Sequence, residues 1–184
     1  ATLLVHHQLD HSIGVAHCLV ITSREALELK QLPSSVAIVG GGATGVEFAS
    51  VYNAYGVKVT VVEMLPHLLP NEDEEVSQQL ERAFAKQGIA FMTGSRVTGL
   101  DRTASGARLR LGAEDGEKVL ECEKVLVAVG VQPNSDGLGL EQLGVATERG
   151  FVAIDAGMAT NVPGIYAIGD LTGKLLLAHA ASAQ

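Results

Sequence analysis

The chain has 184 residues, of which 47% are apolar and 18% are charged, a composition that is typical of a globular domain and excludes an intrinsically disordered chain. The formal net charge is −8 and Lys and Arg form no run, which excludes a basic face for nucleic acid. No apolar window of about 18 residues predicts a membrane span and no signal-peptide pattern opens the chain, so we expect a cytoplasmic or organelle-matrix protein without a membrane partner.

Residues 1–17 are the part of the chain whose sequence indicates least about structure or function. They contain four of the six histidines, but no recognisable metal-ligand spacing, so a polar terminal segment is favoured over a metal site. The two cysteines, Cys18 and Cys122, are far apart in the chain and form no C-x-x-C pair. We interpret both as structural thiols of a reducing compartment.

A short helix is expected over residues 23–29, after an apolar run. Thr22 is a suitable N-cap and Glu25 occupies the third helical position, as in a capping box. Residues 33–35 are predicted to be a linker.

Alternating strand and helix patterns over residues 36–129 predict a nucleotide-binding α/β fold. Short, mostly apolar runs typical of buried parallel strands occur at residues 36–39, 58–62, 89–92 and 125–129. Helices are predicted at residues 43–55 and from an N-cap at Asn71 to Gln87. Three segments separated by turn residues, at 96–100, 107–111 and 118–122, predict an antiparallel meander. The order predicts a three-layer, Rossmann-like, doubly wound parallel sheet with a three-stranded antiparallel meander.

The pattern changes after Gly150. A strand is predicted at residues 151–154 and a buried strand at residues 165–168, with a turn at 160–164 between them. The last residues form an Ala-rich stretch that we interpret as a helix cut off without a cap, which indicates truncation.

A glycine-rich turn at residues 40–45 matches G-x-G-x-x-G and lies between a buried strand and a helix. Gly40 permits the tight turn, Gly42 allows a pyrophosphate to approach the backbone, and Gly45 allows close packing of helix and strand. The phosphates would face N–H groups at the positive end of the helix. The context favours a dinucleotide site over a purely structural glycine turn.

An acidic residue, Glu63, ends the second strand, 18 residues after Gly45. A carboxylate there accepts hydrogen bonds from ribose hydroxyls and repels a 2′-phosphate, so NAD is predicted rather than NADP. Glu47 follows Gly45 by two residues. It is either a surface Glu favoured by the helix dipole or a contact near the nicotinamide end of the cofactor.

Four segments, in this order, resemble the pyridine nucleotide–disulfide oxidoreductases. They are residues 38–49, 59–64, 127–134 and 160–170. Within that family, residues 21–27 and the Leu177-Ala178-His179 triplet resemble the dihydrolipoamide dehydrogenases.

The resemblance implies NAD and FAD as cofactors and assigns contacts to residues of this chain. The residues implied for NAD are Gly40, Gly41, Gly42, Ala43, Thr44, Gly45, Val46, Glu47, Glu63 at the adenosine ribose, Val97 at the adenine, and Gly130. The residues implied for FAD are Asp170 at the ribityl–pyrophosphate region and Leu176, Leu177, Ala178 and His179 along the flavin. A helix N-terminus at a flavin would stabilise the negative charge of its reduced form.

The resemblance also implies a domain division and a parent enzyme. We predict an N-terminal segment and linker over residues 1–34, an NAD-binding domain over 35–155, and part of an FAD-binding domain over 156–184. The parent would oxidise dihydrolipoamide, reduce NAD⁺, form a homodimer and belong to a 2-oxo acid dehydrogenase complex.

Several family features are absent from this sequence. The N-terminal FAD fingerprint, the C-x-x-x-x-C pair and the catalytic His-Glu pair are missing, so we expect the chain alone to be catalytically silent. Ala43-Thr44 replaces a bulkier pair, and Val131 replaces a frequent Arg. Two alternatives remain open: another NADH-dependent flavoprotein reductase, and a stand-alone dinucleotide-binding module.

Overall fold

The structure is a computed structural model that describes residues 19–113 and 116–184. It contains two compact units, whose boundary lies between Gly130 and Val131. The predicted domain division at residues 34 and 155 stays a prediction. The histidine-rich segment and Cys18 lie outside the described residues.

A parallel sheet with a meander forms the first unit, as predicted. Its strands are β1 (Val20–Ile21), β2 (Ser35–Val39), β3 (Lys58–Val62), β4 (Ala90–Met92), β5 (Arg96–Thr103), β6 (Gly106–Ala113), β7 (Gly116–Cys122) and β8 (Lys124–Val127). The parallel sheet has the order β1-β8-β2-β3-β4, and β5-β6-β7 form an antiparallel sheet. Strand β1 therefore belongs to the sheet, although its residues were predicted to be part of an N-terminal segment.

In the described part of this unit, three helices accompany these strands: α1 (Ser23–Glu28), α2 (Ala43–Ala54) and α3 (Glu74–Gln87). The predicted capping box of α1 is confirmed, with the Thr22 N–H donating to Glu25 Oε2 at 2.7 Å.

Both faces of the parallel sheet are buried, which explains its apolar strands. Side chains of β2 alternate, so Ile38 packs in a core with Tyr52 of α2 and Phe84 of α3, whereas Ala37 packs in a second core with Leu109 of β6. The helices, the parallel sheet and the meander thus form the three predicted layers.

Helix α3 begins later than predicted. Its N-cap is Asp73, whose Oδ1 accepts a hydrogen bond from the Glu75 N–H at 2.8 Å, and not Asn71. Both residue types are good caps, and Asn71 comes first in the sequence. The intervening residues are instead part of a turn in which the Glu72 N–H donates to the Leu69 carbonyl at 2.9 Å. The far end is as predicted, because Gly88 closes the helix in the left-handed conformation.

The capping assignment is testable by paired substitutions. Asp73→Ala removes an acceptor from the first turn and should lower the free energy of unfolding by about 1 kcal/mol. Asn71→Ala is the matched control and should change it by less than about 0.5 kcal/mol. Urea unfolding followed by far-UV circular dichroism measures both, and equal effects would contradict the assignment.

The second unit contains short elements. These are β9 (Thr147–Glu148), β10 (Phe151–Val152), a 3₁₀ turn (Gly169–Thr172) and helix α4 (Ala178–Ala183). Strands β9 and β10 are antiparallel, and the core contains Val145, Val152 and Ala167. Among the described residues, no helix has the length and hydropathy needed to cross a membrane.

The predicted buried strand at residues 165–168 is wrong. Only an isolated bridge joins Tyr166 to Ala159, and Tyr166 and Ile168 are 65% and 51% exposed. The run is apolar throughout, but it contacts the core on one side only, through Ile165 and Ala167. The strand predicted at residues 151–154 likewise ends at Val152.

A carboxylate clamp joins the N-terminal ends of β2 and β8. Glu123 Oε2 accepts from the Ser34 N–H at 2.7 Å and from Ser34 Oγ at 2.8 Å, and the Glu123 N–H donates to Ser35 Oγ at 3.0 Å. The backbone and side-chain hydrogen bonds of Ser34 lower the pKa of Glu123 below its ordinary value of 4.5.

This clamp should make stability depend on pH. Since the folded-state pKa of Glu123 is lowered, its stabilisation is present above pH 4.5 and is lost as the pH falls through the folded-state value. Glu123→Gln should flatten this acid-side loss, and the exposed Glu117→Gln should leave it unchanged. Urea midpoints between pH 3 and 7 provide the measurement, and parallel curves for wild type and Glu123→Gln would refute the linkage. Solvent screening keeps the effect small.

Candidate functional site

The candidate site lies where parallel strands β2 and β3 end beside the N-terminus of α2. Gly40 follows β2 directly, and its N–H donates to the Val62 carbonyl of β3 at 2.9 Å. Glu63 follows β3 directly, and its N–H donates to the Met92 carbonyl of β4 at 2.9 Å. Because parallel strands have their carboxyl ends at one edge, residues that are distant in sequence meet there.

Two glycines of the turn have no room for a side chain. Gly40 has φ +111°, and a Cβ on it would lie 2.4 Å from the Ala128 carbonyl oxygen. A Cβ on Gly45 would lie 2.0 Å from the Gly40 carbonyl oxygen. The tight turn at Gly40 and the close packing at Gly45 are therefore as predicted.

The first turn of α2 offers N–H donors for which no partner occurs among the described residues. The Val46 N–H donates to the Gly42 carbonyl at 3.0 Å and is the first to bond back by one helical turn. The N–H groups of Ala43, Thr44 and Gly45 precede it and have no such carbonyl. A Cβ on Gly42 would meet nothing within 4 Å, so the space beside that residue is open. The arrangement suits an anion such as a diphosphate.

Glu63 places a buried carboxylate at the same edge. The residue is 7% exposed. Its Oε2 accepts from the Gly41 N–H at 2.6 Å, and its Oε1 accepts from the Leu65 N–H at 2.8 Å. Each carboxylate oxygen has a further lone pair, so the group can still accept hydrogen bonds from a hydroxyl.

Gly41 has a structural role that sequence reasoning missed. A Cβ on Gly41 would lie 2.7 Å from Leu68 Cδ2 and 3.1 Å from Glu63 Cβ, and its carbonyl accepts from the Leu69 N–H at 2.8 Å. The dinucleotide motif leaves this position unspecified. The only sequence signal was a third consecutive glycine.

The remaining residues predicted to contact NAD occupy different environments. Val46 lies on the buried face of α2, and Glu47 lies on the exposed face of the same helix. Val97 of β5 packs in the core between sheet and meander. Gly130 has φ +129° and open space around its Cα. Both interpretations of Glu47 stay open, and contacts of these residues with NAD stay predictions.

In the second unit, Asp170 lines a cavity of about 420 Å³. The other lining residues are Val131, Gln132, Pro133, Asn134, Phe151 and Leu171. Asp170 is exposed on the 3₁₀ turn, where Thr172 Oγ1 donates to the Gly169 carbonyl at 2.8 Å. The predicted flavin-lining residues Leu176, Leu177, Ala178 and His179 are exposed and do not line this cavity.

Cys122 is buried between the parallel sheet and the meander. It is 8% exposed and its sulfur forms no disulfide. Burial raises the pKa of its thiol, with a backbone hydrogen bond from Ala37 opposing the change. This environment fits an unreactive structural thiol. Among residues 19–113 and 116–184, no cluster of His, Cys, Asp and Glu could hold a metal ion.

Comparison with known proteins identifies the family. The family described as pyridine nucleotide-disulphide oxidoreductase matches residues 11–184. The chain belongs to this family. Dihydrolipoyl dehydrogenases from Chlorobaculum tepidum and Bacillus subtilis are 49% identical over 166 residues and 45% identical over 165 residues. The matches cover 90% and 89% of this chain and 35% of each relative, so the chain spans about a third of their length.

Solved structures of the oxidoreductase family have the same fold. LpdA from Mycobacterium tuberculosis matches with a TM-score of 0.78 and 37% identity, over 89% of this chain and 35% of that protein. The Cu(II) complex of RclA, an HOCl-induced flavoprotein disulfide reductase from Escherichia coli, matches with a TM-score of 0.77 and 31% identity, over 89% of this chain and 36% of that one. The predicted Rossmann-like class is thus confirmed.

Adjacent glycines in this oxidoreductase chain should respond differently to substitution. Gly41→Ala forces Leu68 or Glu63 to move and should lower the free energy of unfolding by about 1–3 kcal/mol. Gly42→Ala adds a methyl group to open space and should change stability by less than about 0.5 kcal/mol. Urea unfolding tests the pair. The reverse order, or equal costs, would contradict the packing described for Gly41.

Proposed function

We propose that this chain is the NAD-binding part of a dihydrolipoamide dehydrogenase-like flavoprotein, in which hydride passes between FAD and NAD. The observation that carries the proposal is the buried Glu63 carboxylate, hydrogen-bonded to the glycine turn beside the N-terminus of α2. FAD and NAD are the cofactors that membership of the family implies.

The residues at the first site fit a dinucleotide. The open space at Gly42 leaves room for the pyrophosphate, and the first-turn N–H groups of Ala43 and Thr44 provide donors for it. Glu63 provides a carboxylate for the adenosine ribose hydroxyls. That carboxylate disfavours a 2′-phosphate by charge repulsion, which supports NAD over NADP.

The residues proposed for FAD lie in the second unit. Asp170 provides an exposed carboxylate that lines a cavity and would hold polar groups of the ribityl–pyrophosphate region. Residues 176–179 form the start of α4 and the two residues before it, and they would lie along the flavin. The bound flavin and nicotinamide supply the hydride-transfer chemistry. The contribution of this chain is positional, since it holds NAD in a defined place and excludes a wrong orientation.

The whole reaction needs residues beyond this sequence. Dihydrolipoamide is oxidised from dithiol to disulfide, its two electrons reduce NAD⁺ to NADH, and one proton is released. The C-x-x-x-x-C pair and the His-Glu pair of the family are not in this chain, so the chain alone is expected to be inactive. We further propose a homodimer, membership of a 2-oxo acid dehydrogenase complex, and a cytoplasmic location.

A second candidate is an NADH-dependent flavoprotein disulfide reductase with another substrate. The likeness to RclA, which is 31% identical, favours it. Assay of the complete protein with dihydrolipoamide and NAD⁺ separates the two, because turnover with dihydrolipoamide supports the first. A stand-alone dinucleotide module is disfavoured by Asp170, since such a module has no use for part of a flavin site.

The ribose assignment is tested at Glu63 in the complete, flavin-loaded protein. Glu63→Ala should weaken NADH binding by roughly tenfold or more, since a hydrogen bond to a charged group contributes about 1.5–3 kcal/mol. Glu63→Arg should raise the ratio of NADPH to NADH affinity, because the charge repelling a 2′-phosphate is gone. Because NADH and NADPH would reduce the bound flavin, the dissociation constants are measured by isothermal titration calorimetry with the redox-inactive fragments ADP-ribose and 2′-phospho-ADP-ribose, which carry the same adenosine ribose.

The exposed Glu117→Ala, on the meander, is the control and should leave both affinities unchanged. Thermal unfolding of each variant separates lost recognition from lost structure, because Glu63 also holds the glycine turn. If ADP-ribose affinity is the same in wild type, Glu63→Ala and Glu63→Arg, the ribose assignment is wrong.

A further inference from the structure

The connection between β3 and α3, residues 64–73, is docked on the glycine turn. Leu68 is fully buried, and its Cδ2 lies 2.7 Å from where a Cβ of Gly41 would be. The next residue, Leu69, donates its N–H to the Gly41 carbonyl at 2.8 Å. The N–H of Gly41 itself donates to Glu63 Oε2. Gly41 is therefore held at its N–H, its Cα and its carbonyl.

Leu69 has an unusual backbone conformation for this contact. Its φ is +50°, in the left-handed region that a bulky residue rarely adopts. Hydrogen bonds hold both the N–H and the carbonyl of Leu69. The N–H donates to the Gly41 carbonyl, and the Leu69 carbonyl accepts from the Glu72 N–H at 2.9 Å and from Ser77 Oγ at 3.3 Å. A strained residue persists only where its surroundings hold it.

Glu81 anchors the same connection from the middle of α3. Its Oε1 accepts from the Leu68 N–H at 3.0 Å. The Leu68 side chain is buried in the core. If Glu81 were truncated, the Leu68 N–H would lose this acceptor while the side chain stayed in place. A donor deprived of its partner in a partly buried position costs free energy, which the connection can relieve only by moving.

We propose that Glu81 is a positioning residue for the nucleotide site. It fixes Leu68, Leu68 packs on Gly41, and Gly41 holds the Glu63 carboxylate where the adenosine ribose is recognised. This inference rests on the proposed function of Glu63 as the ribose acceptor. It adds that the orientation of this carboxylate depends on a second carboxylate, 18 residues further along the chain, which acts through Leu68 and not by direct contact with the nucleotide.

The test compares three Glu81 variants in the complete, flavin-loaded protein. Glu81→Ala removes the acceptor, and Glu81→Asp withdraws it by one methylene while keeping the charge. Both should raise the dissociation constant of ADP-ribose and the KM for NAD⁺ roughly threefold to tenfold, as expected for loss of one hydrogen bond. Glu81→Gln keeps an amide oxygen as acceptor and should remain within about twofold of wild type.

Two readouts separate positioning from general stability. The kcat at saturating NAD⁺ and the flavin content per chain should be unchanged, whereas a merely destabilised protein would lose flavin and active fraction. Glu75→Ala is the matched control on α3, since Glu75 is exposed and no hydrogen bond of its side chain occurs among the described residues. Its ADP-ribose affinity should equal that of wild type.

Specific outcomes overturn the proposal. It fails if Glu81→Ala binds ADP-ribose as tightly as wild type while Glu63→Ala binds it more weakly, and the ribose assignment then survives alone. If neither variant weakens ADP-ribose binding, the proposed function of the site fails as well. Equal weakening by Glu81→Gln and Glu81→Ala also contradicts the acceptor role. Should Glu81→Ala not fold, Glu81→Asp decides by the same measurements.

Discussion

The hydrogen bond from the Gly41 N–H to the Glu63 carboxylate is the interaction on which the candidate site depends. A carboxylate that is 7% exposed would be costly to bury without partners. Two backbone N–H groups, of Gly41 and Leu65, meet that need at 2.6 and 2.8 Å. The bonds join the end of β3 to the turn after β2. An acceptor that is already fixed in place loses little entropy when a ligand arrives, so the site is preorganised.

Close backbone packing, rather than side-chain contact, sets the shape of the turn. Gly40 approaches the Ala128 carbonyl beyond β8, and Gly45 approaches the Gly40 carbonyl, at distances that exclude a Cβ. The parallel register of β2 with β3 and β8 brings these backbones together. Any side chain at Gly40 or Gly45 would force the glycine turn and the start of α2 away from the strands, and with them the Gly41 N–H that binds Glu63. The sheet therefore positions the donors and the acceptor together.

Features that depend on neighbours in the chain were predictable, and features that depend on neighbours in space were not. Strand β3 and the glycine turn follow from periodicity and spacing, which are local properties of the sequence. The need for glycine at position 41 depends on Leu68, which the fold brings opposite it. Residues 165–168 are apolar enough for a buried strand, but the second unit places no strand on either side of them. The cap of α3 was misplaced because Asn71 and Asp73 both suit the role, and only the turn at Leu69 distinguishes them.

A single carboxylate thus has a structural role and a proposed recognition role, and the two cannot be varied independently. Arginine at position 63 would offer only donors, so the N–H groups of Gly41 and Leu65 would lose their acceptor in a buried position. Removing the charge that is proposed to oppose a 2′-phosphate would therefore also loosen the turn that presents the proposed pyrophosphate donors. A change of preference from NAD to NADP in this chain needs a new acceptor for the Gly41 N–H as well as a cation for the phosphate. Under the proposed function, coenzyme preference would therefore be a property of the glycine turn and of the connection packed on it, and not of Glu63 alone.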